Sequence, residues 1–182
     1  GVGTNPSAAL LKGKKIIAFA EEERFTRIKN APLALPINSI HYCLKEAGIE
    51  INKVKKISFG WDCPHQFNKV PIFLKKLYKK HPGLRNNYNI NLEKRVRLGY
   101  DPDKIINELK WAFAKKNQKF NKKITFYKHH LSHAASTFYA SGFHESSILI
   151  LDGMGEEFTG GFYKGKKNKI SCIKRFYLPN TL

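Results

Sequence analysis

The spacing of apolar and polar positions divides the chain into elements. "SAALLKGKKIIAFAEEERF" places Ala9 to Leu11 and then Ile16 to Ala20 on either side of a Lys12-Gly13 turn, which predicts a β-hairpin. "LPINSIHYCLKEAGI" spaces Ile37, Ile40, Leu44 and Ala47 by three and four residues, starts after Pro36 and stops at Gly48, so it predicts an amphipathic helix with a glycine stop. A strand from Val54 in "VKKISFG" follows. Further on, Asp101-Pro102 joins an N-cap to a first-turn proline, and Ile105, Ile106, Leu109, Ala112 and Phe113 form one helical face.

Between these, residues 61–100 show no clear period. Pro64, Pro71 and Pro82, basic pairs and the polar "RNNYNIN" predict an irregular insertion. After the second helix, "KITFY" is a short strand leading into three histidines, and "LSHAASTFYASG" is a helix of small residues ending at Gly142. The apolar strand Ile148 to Leu151 ends at "DGMGE", and "TGGFYKG" and "KISCIKRFY" predict two more strands joined by a turn over residues 165–169. Strands alternate with helices up to residue 143 and hairpins follow, which predicts an α/β fold with a lobe boundary near residues 143–147.

Composition changes this picture only in part. The hydrophobic share of 42% against 26% charged is that of a globular domain. Cys43, Cys63 and Cys172 are odd in number and far apart, so neither a disulfide framework nor a cysteine metal site is expected, and a reducing cytoplasm fits best. No apolar run approaches the roughly 20 residues of a membrane span. The formal charge of +19 would suit an anionic partner, but it comes mostly from lysine pairs scattered along the chain, without a nucleic-acid-binding motif.

The histidines of "KHHLSHAAS" are the leading candidates for chemistry. In a helix, His129 and His133 stand four apart on one face and can reach one cation, while His130 points elsewhere. The zinc-protease pattern H-E-x-x-H is not met, because His130 stands where its glutamate would be. Asp152, at the carboxyl end of a buried strand, could add an anionic ligand; two histidines and one aspartate suit Fe(II), Zn or Mn. The structural alternative is that His133 is a core histidine and Asp152 caps a glycine turn. Gly153 and Gly155 would let the backbone approach an anion closely, or simply make that turn. "EEERFTR" could line a site or be a solvated ion-pair surface.

Taken in order, "SAALLKGKKIIAFAEEERFTRIKN", "LPINSIHYCLKEAGI", "HHLSHAASTFYASGF" and "LDGMGEE" resemble the amino-terminal half of the O-carbamoyltransferases of the nodulation and antibiotic-tailoring type. The resemblance implies an actin-like ATPase (ribonuclease H-like) fold akin to the enzyme that places threonylcarbamoyl on tRNA. Residues 1–145 would be a first lobe with a variable insertion at about 61–120, and residues 146–182 the opening strands of a second. It further implies an iron-like divalent metal on His129, His133 and Asp152, with Gly153, Gly155, Glu156 and His130 near nucleotide or substrate. A further metal-binding aspartate, most of the nucleotide pocket and a domain making carbamoyl-adenylate from carbamoyl phosphate and ATP would lie beyond Leu182, and "LPNTL" resembles the start of a conserved family segment. The implied reaction is carbamoyl transfer to the hydroxyl of a small-molecule acceptor, with a homodimer as a further expected partner arrangement. One departure stands out: Thr4 and Asn5 replace a His-Asp pair found in many members, so the acid/base role placed there does not carry over. The alternatives are a non-catalytic basic module that binds nucleic acid or scaffolds on the same fold and, less well matched to paired histidines, a phosphotransferase of the nucleotide-binding superfamily.

Overall fold

A computed structural model describes residues 5–32, 34–84 and 92–180. Thr4 and the "RNNYNIN" stretch therefore lie outside the described residues. The chain is mixed α/β and divides into two compact units, Gly1–Ser58 with Arg97–Thr125 and Phe59–Val96 with Phe126–Leu182. No helix among the described residues is long and apolar enough to cross a membrane.

The first unit is built on the expected hairpin. Strands β1 (Ser7–Lys12) and β2 (Lys15–Glu21) pair antiparallel around a two-residue loop opened by Gly13, whose φ of 62° lies in the left-handed region that glycine adopts without strain. A short helix α1 (Glu23–Thr26) leads to α2 (Ile37–Glu46), which packs on the hairpin with Cys43 and Leu44 buried. Its amino terminus has no local cap. Instead, buried Glu22 accepts four hydrogen bonds, from the backbone N–H and side-chain amide of Asn38 and from the backbone N–H and hydroxyl of Ser39. This divides "EEERFTR" by role: Glu22 is a buried helix cap, while Glu21 and Arg24 form an exposed ion pair at 3.1 Å. Helix α6 (Pro102–Ala114) starts as predicted, with the Asp101 carboxylate accepting from the N–H groups of Asp103 and Lys104. It buries Ile105, Leu109, Ala112 and Phe113. The strand expected from Val54 is shorter, β3 (Ile57–Phe59), and follows a 3₁₀ turn at Ile51–Lys53; it pairs with β4 (Ile124–Phe126).

The stretch expected to be irregular is largely helical. It forms α3 (Cys63–Asn68), α4 (Val70–Lys80) and α5 (Leu92–Gly99). Pro64 and Pro71 sit in the first turns of α3 and α4, where a missing N–H costs nothing, so they start helices and do not break them. Asp62 caps α3 by accepting from the His65 N–H, and Val70, Leu74 and Val96 cluster with Leu178.

The rest of the second unit is an antiparallel meander, β5 (Glu145–Gly155), β6 (Phe158–Lys166) and β7 (Lys169–Tyr177), with helix α7 (His129–Ser141) on one face. Ala134 and Phe138 of α7 pack on Ile148 and Ile150 of β5 and Tyr163 of β6. Both elements show their own period in that seam: the buried positions of α7 are His130, Ala134 and Phe138, four apart, and those of β5 are two apart, with Leu149 and Leu151 exposed on the other face. Gly165 of β6 lies under the Phe138 ring, where a Cβ would come within 2.5 Å.

Candidate metal centre

The two seam rows run past the apolar core into polar residues. Asp152 continues the Ile148, Ile150 row of β5, and His130 continues the Ala134, Phe138 row of α7, so the packing that buries the core also brings a carboxylate under the start of the helix. The strand extends to Gly155, beyond the expected end at Leu151, so Asp152 lies within β5 and not at its carboxyl end. Gly153 and Gly155 are strand residues without positive φ, and the turn is made by Glu156 and Glu157.

His129, His133 and Asp152 each offer one atom within 4.8 Å of the others. The Nε2 atoms of His129 and His133 are 3.0 Å apart, and Asp152 Oδ2 lies 3.0 Å from the first and 3.7 Å from the second. Ligands of one divalent ion with bonds of about 2.1 Å stand roughly 3.0–3.4 Å from each other, so two of the three separations fall in that range and the third is slightly longer.

Local structure leaves one nitrogen of His129 free to accept a cation. Its Nδ1 is 3.2 Å from the Gly60 carbonyl oxygen, an acceptor, so Nδ1 carries the proton and Nε2 keeps its lone pair. The ring also stacks on Trp61, with centroids 3.9 Å apart. A bare imidazole nitrogen 3.0 Å from a carboxylate oxygen repels it unless a cation lies between them. Asp152 Oδ2 has no hydrogen-bond partner among the described residues despite its burial, while Oδ1 accepts from the Gly153 N–H. The donor set therefore fits a divalent cation. Burial holds the His129 imidazole below its usual range, which keeps the lone pair free; Gly60 and Asp152 oppose that shift, while His133 adds to it.

The expectation that His130 points elsewhere fails. Its side chain is 2% exposed and its Nε2 is 3.3 Å from Asp152 Oδ2, although it does not join the group of three. The wheel separates positions 129 and 130 by about 100°, but the strand runs beneath both, so rings on adjacent faces reach one carboxylate.

Two glutamates take roles that the sequence does not announce: Glu156, expected near nucleotide or substrate, caps a helix, and Glu157 is new to the site. Buried Glu156, at φ 54°, accepts from the His129 N–H at 3.1 Å and the Asp62 N–H at 3.2 Å, capping α7 from across the unit. Burial pushes its carboxyl up, against the two amides that stabilise the anion. Glu157 holds His65 Nε2 at 2.7 Å. The Asp62-x-Pro64 signature could have placed the start of α3, as Asp101-Pro102 placed α6; nothing local signals the two glutamates as partners. Gly155 has a steric role, since a Cβ there would lie 2.8 Å from His129 Cδ2 and 2.8 Å from His130 Nε2; Gly153 faces open space. In the first unit, Asn5 has φ 58° and donates its N–H to the Asn30 carbonyl.

A sequence model described as the carbamoyltransferase N-terminus matches residues 1–181. The chain belongs to the carbamoyltransferase N-terminus family. Among curated relatives, an uncharacterized protein sll1178 from Synechocystis sp. (strain ATCC 27184 / PCC 6803 / Kazusa) is 32% identical over 97% of this chain and 28% of its own length. Nodulation protein NolNO from Sinorhizobium fredii (strain NBRC 101917 / NGR234) is 29% identical over 97% of this chain and 23% of its own. An uncharacterized 19.2 kDa protein in the syrM 5' region of Rhizobium etli is 40% identical over 30% of this chain and 32% of its own. This family member thus spans about a quarter of the length of the first two relatives.

Proposed function

We propose that the chain is the metal-holding part of an O-carbamoyltransferase, which transfers a carbamoyl group from carbamoyl-adenylate, made from carbamoyl phosphate and ATP, to a hydroxyl of a small-molecule acceptor in the cytoplasm. The observation that carries this reading is the convergence of His129, His133 and Asp152 in a chain matched almost end to end by the family. The free state of Cys43, Cys63 and Cys172 supports the reducing compartment. The actin-like arrangement belongs to the same proposal, supported by the mixed α/β content and the meander that carries Asp152.

A divalent ion bound there, iron with zinc or manganese as alternatives, would supply Lewis-acid polarisation of a carbamoyl or acceptor oxygen. The chain's own residues do the rest. His129 presents Nε2, held by the Gly60 carbonyl and Trp61. His133, half exposed, forms the solvent side of the group through which an acceptor would approach, and Asp152 contributes the anionic oxygen. Gly153, with open space at its Cα, is the residue suited to close approach of a phosphate, while Gly155 and Glu156 support the helix that bears the histidines. The general base is left unassigned, since Thr4 and Asn5 offer no imidazole.

The test is mass spectrometry of products from the intact protein given ATP, carbamoyl phosphate and a metabolite extract. A mass gain of one carbamoyl group on a small alcohol is expected. Salt-sensitive RNA or DNA binding that survives His133→Ala, without any carbamoylated product, would instead favour the basic binding module suggested by the +19 charge.

A further inference from the structure

His130 is the residue of the cluster that the metal reading leaves unused. Its imidazole is 2% exposed, and neither ring nitrogen has a hydrogen-bond partner among the described residues. Leaving a buried polar group unpaired is costly, so an imidazole without a hydrogen bond in a packed seam calls for a function. Its Nε2 lies 3.3 Å from Asp152 Oδ2, and that oxygen likewise has no hydrogen-bond partner among the described residues. The ring occupies the position on α7 where Ala134 and Phe138 meet the core, so it is held by packing against the seam. From the strand side, Gly155 leaves the space it fills: any Cβ there would press on His130 Nε2.

We propose that His130 is a positioning residue for Asp152, donating from Nε2–H to Oδ2 so that this oxygen is held toward His129 and His133, and that Gly155 is glycine to leave room for the ring. The proposal rests on the metal reading, because a fixed Oδ2 matters only if it ligates. A carboxylate held by an outer imidazole loses less freedom on binding an ion, and outer partners of this kind typically change metal affinity about 10–100-fold.

The test uses Co(II) as probe on the full chain, with affinity from chelator competition and geometry from the visible absorption spectrum. His130→Leu is expected to weaken Co(II) binding by about 10–100-fold and alter the spectrum, whereas His130→Gln, whose amide N–H can still reach Oδ2, keeps most of the affinity. Wild-type affinity and spectrum in His130→Leu overturn the proposal, even if that variant melts earlier, and so does a loss in His130→Gln as large as in His130→Leu. Should His130→Leu not fold, His130→Asn replaces it: one methylene too short, it is expected to bind more weakly than His130→Gln, and equal binding by the two overturns the proposal. Failure of the wild type to bind Co(II), or full affinity in His133→Ala, sinks the metal reading itself and this proposal with it.

Discussion

Glu156 offers the sharpest test of how the candidate centre is held. Its carboxylate accepts two backbone N–H groups, from the first residue of α7 and from Asp62, and the side chain is buried. Glu156→Ala leaves both donors unpaired, at about 1–3 kcal/mol each, so the expected loss is roughly 2–6 kcal/mol. At about 2–4 °C per kcal/mol for a chain of this size, the melting temperature falls by roughly 4–24 °C. The backbone adds a second, independent magnitude. At φ 54° a Cβ is disfavoured by about 1–2 kcal/mol, so Glu156→Gly, which loses the same carboxylate, is expected to be less destabilised than Glu156→Ala by about 1 kcal/mol. Glu156→Gln keeps an acceptor oxygen and stays close to wild type. Because burial raises the folded-state carboxyl above its unfolded value, the native state holds its proton to higher pH, and the wild type loses stability as pH rises through that window. The glutamine variant, which does not titrate, gains on the wild type as pH rises. Urea unfolding followed by circular dichroism measures all four proteins. The reasoning is refuted if Glu156→Ala lies within about 0.5 kcal/mol of wild type, or if Glu156→Gly is the less stable of the two truncations.

The remaining predictions are simpler. His133→Ala and Asp152→Asn should each lower Co(II) or Fe(II) affinity more than about tenfold, and metal analysis after dialysis against chelator checks this; retention at wild-type level by either variant counts against the assigned ligands. Burial holds the His41 imidazole below its usual range, with Lys116 adding to the effect and Glu22 opposing it. The unfolded chain thus takes up a proton first as pH falls below about 6.5, so stability drops on the acid side, and His41→Gln should flatten that slope in unfolding curves taken between about pH 7 and 5. Gly165→Ala drives a methyl into the Phe138 ring and is expected to cost about 1–3 kcal/mol by thermal unfolding, a cost that the double variant with Phe138→Leu should reduce.

Much of this architecture was legible because local signals agreed. In α2, the spacing of Ile37, Ile40 and Leu44 and the stop at Gly48 point to one helix; in α6, Asp101 and Pro102 mark the start and Ile105, Leu109 and Phe113 the buried face. The helices of residues 63–99 were hidden because Pro64 and Pro71 read as breakers, when their positions in first turns make them starters. For the site, the four-residue spacing of His129 and His133 carried the inference, since it depends only on helical period. His130 was misjudged because a helical wheel ignores what passes beneath the helix, and here a strand brings Asp152 within reach of both faces. The roles of Glu22 and Glu156 could not be read locally: each caps a helix distant in sequence, and the same two-glutamate pattern elsewhere would be ordinary surface charge.

The β5–β6 turn also fixes when the centre can form. Through Glu156 and Glu157 it holds Asp62 and His65, 94 and 92 residues away, while His129 takes its orientation from Gly60, 69 residues away. Contacts so distant in sequence close late, after the helices and hairpins that need only neighbours. A peptide spanning α7 and β5 would contain both histidines and Asp152, yet lack the Gly60 carbonyl that sets the tautomer. If the centre takes up the proposed ion, its capture would therefore report completed folding of this unit, and loading during synthesis would wait for a strand that leaves the ribosome after the helix it serves.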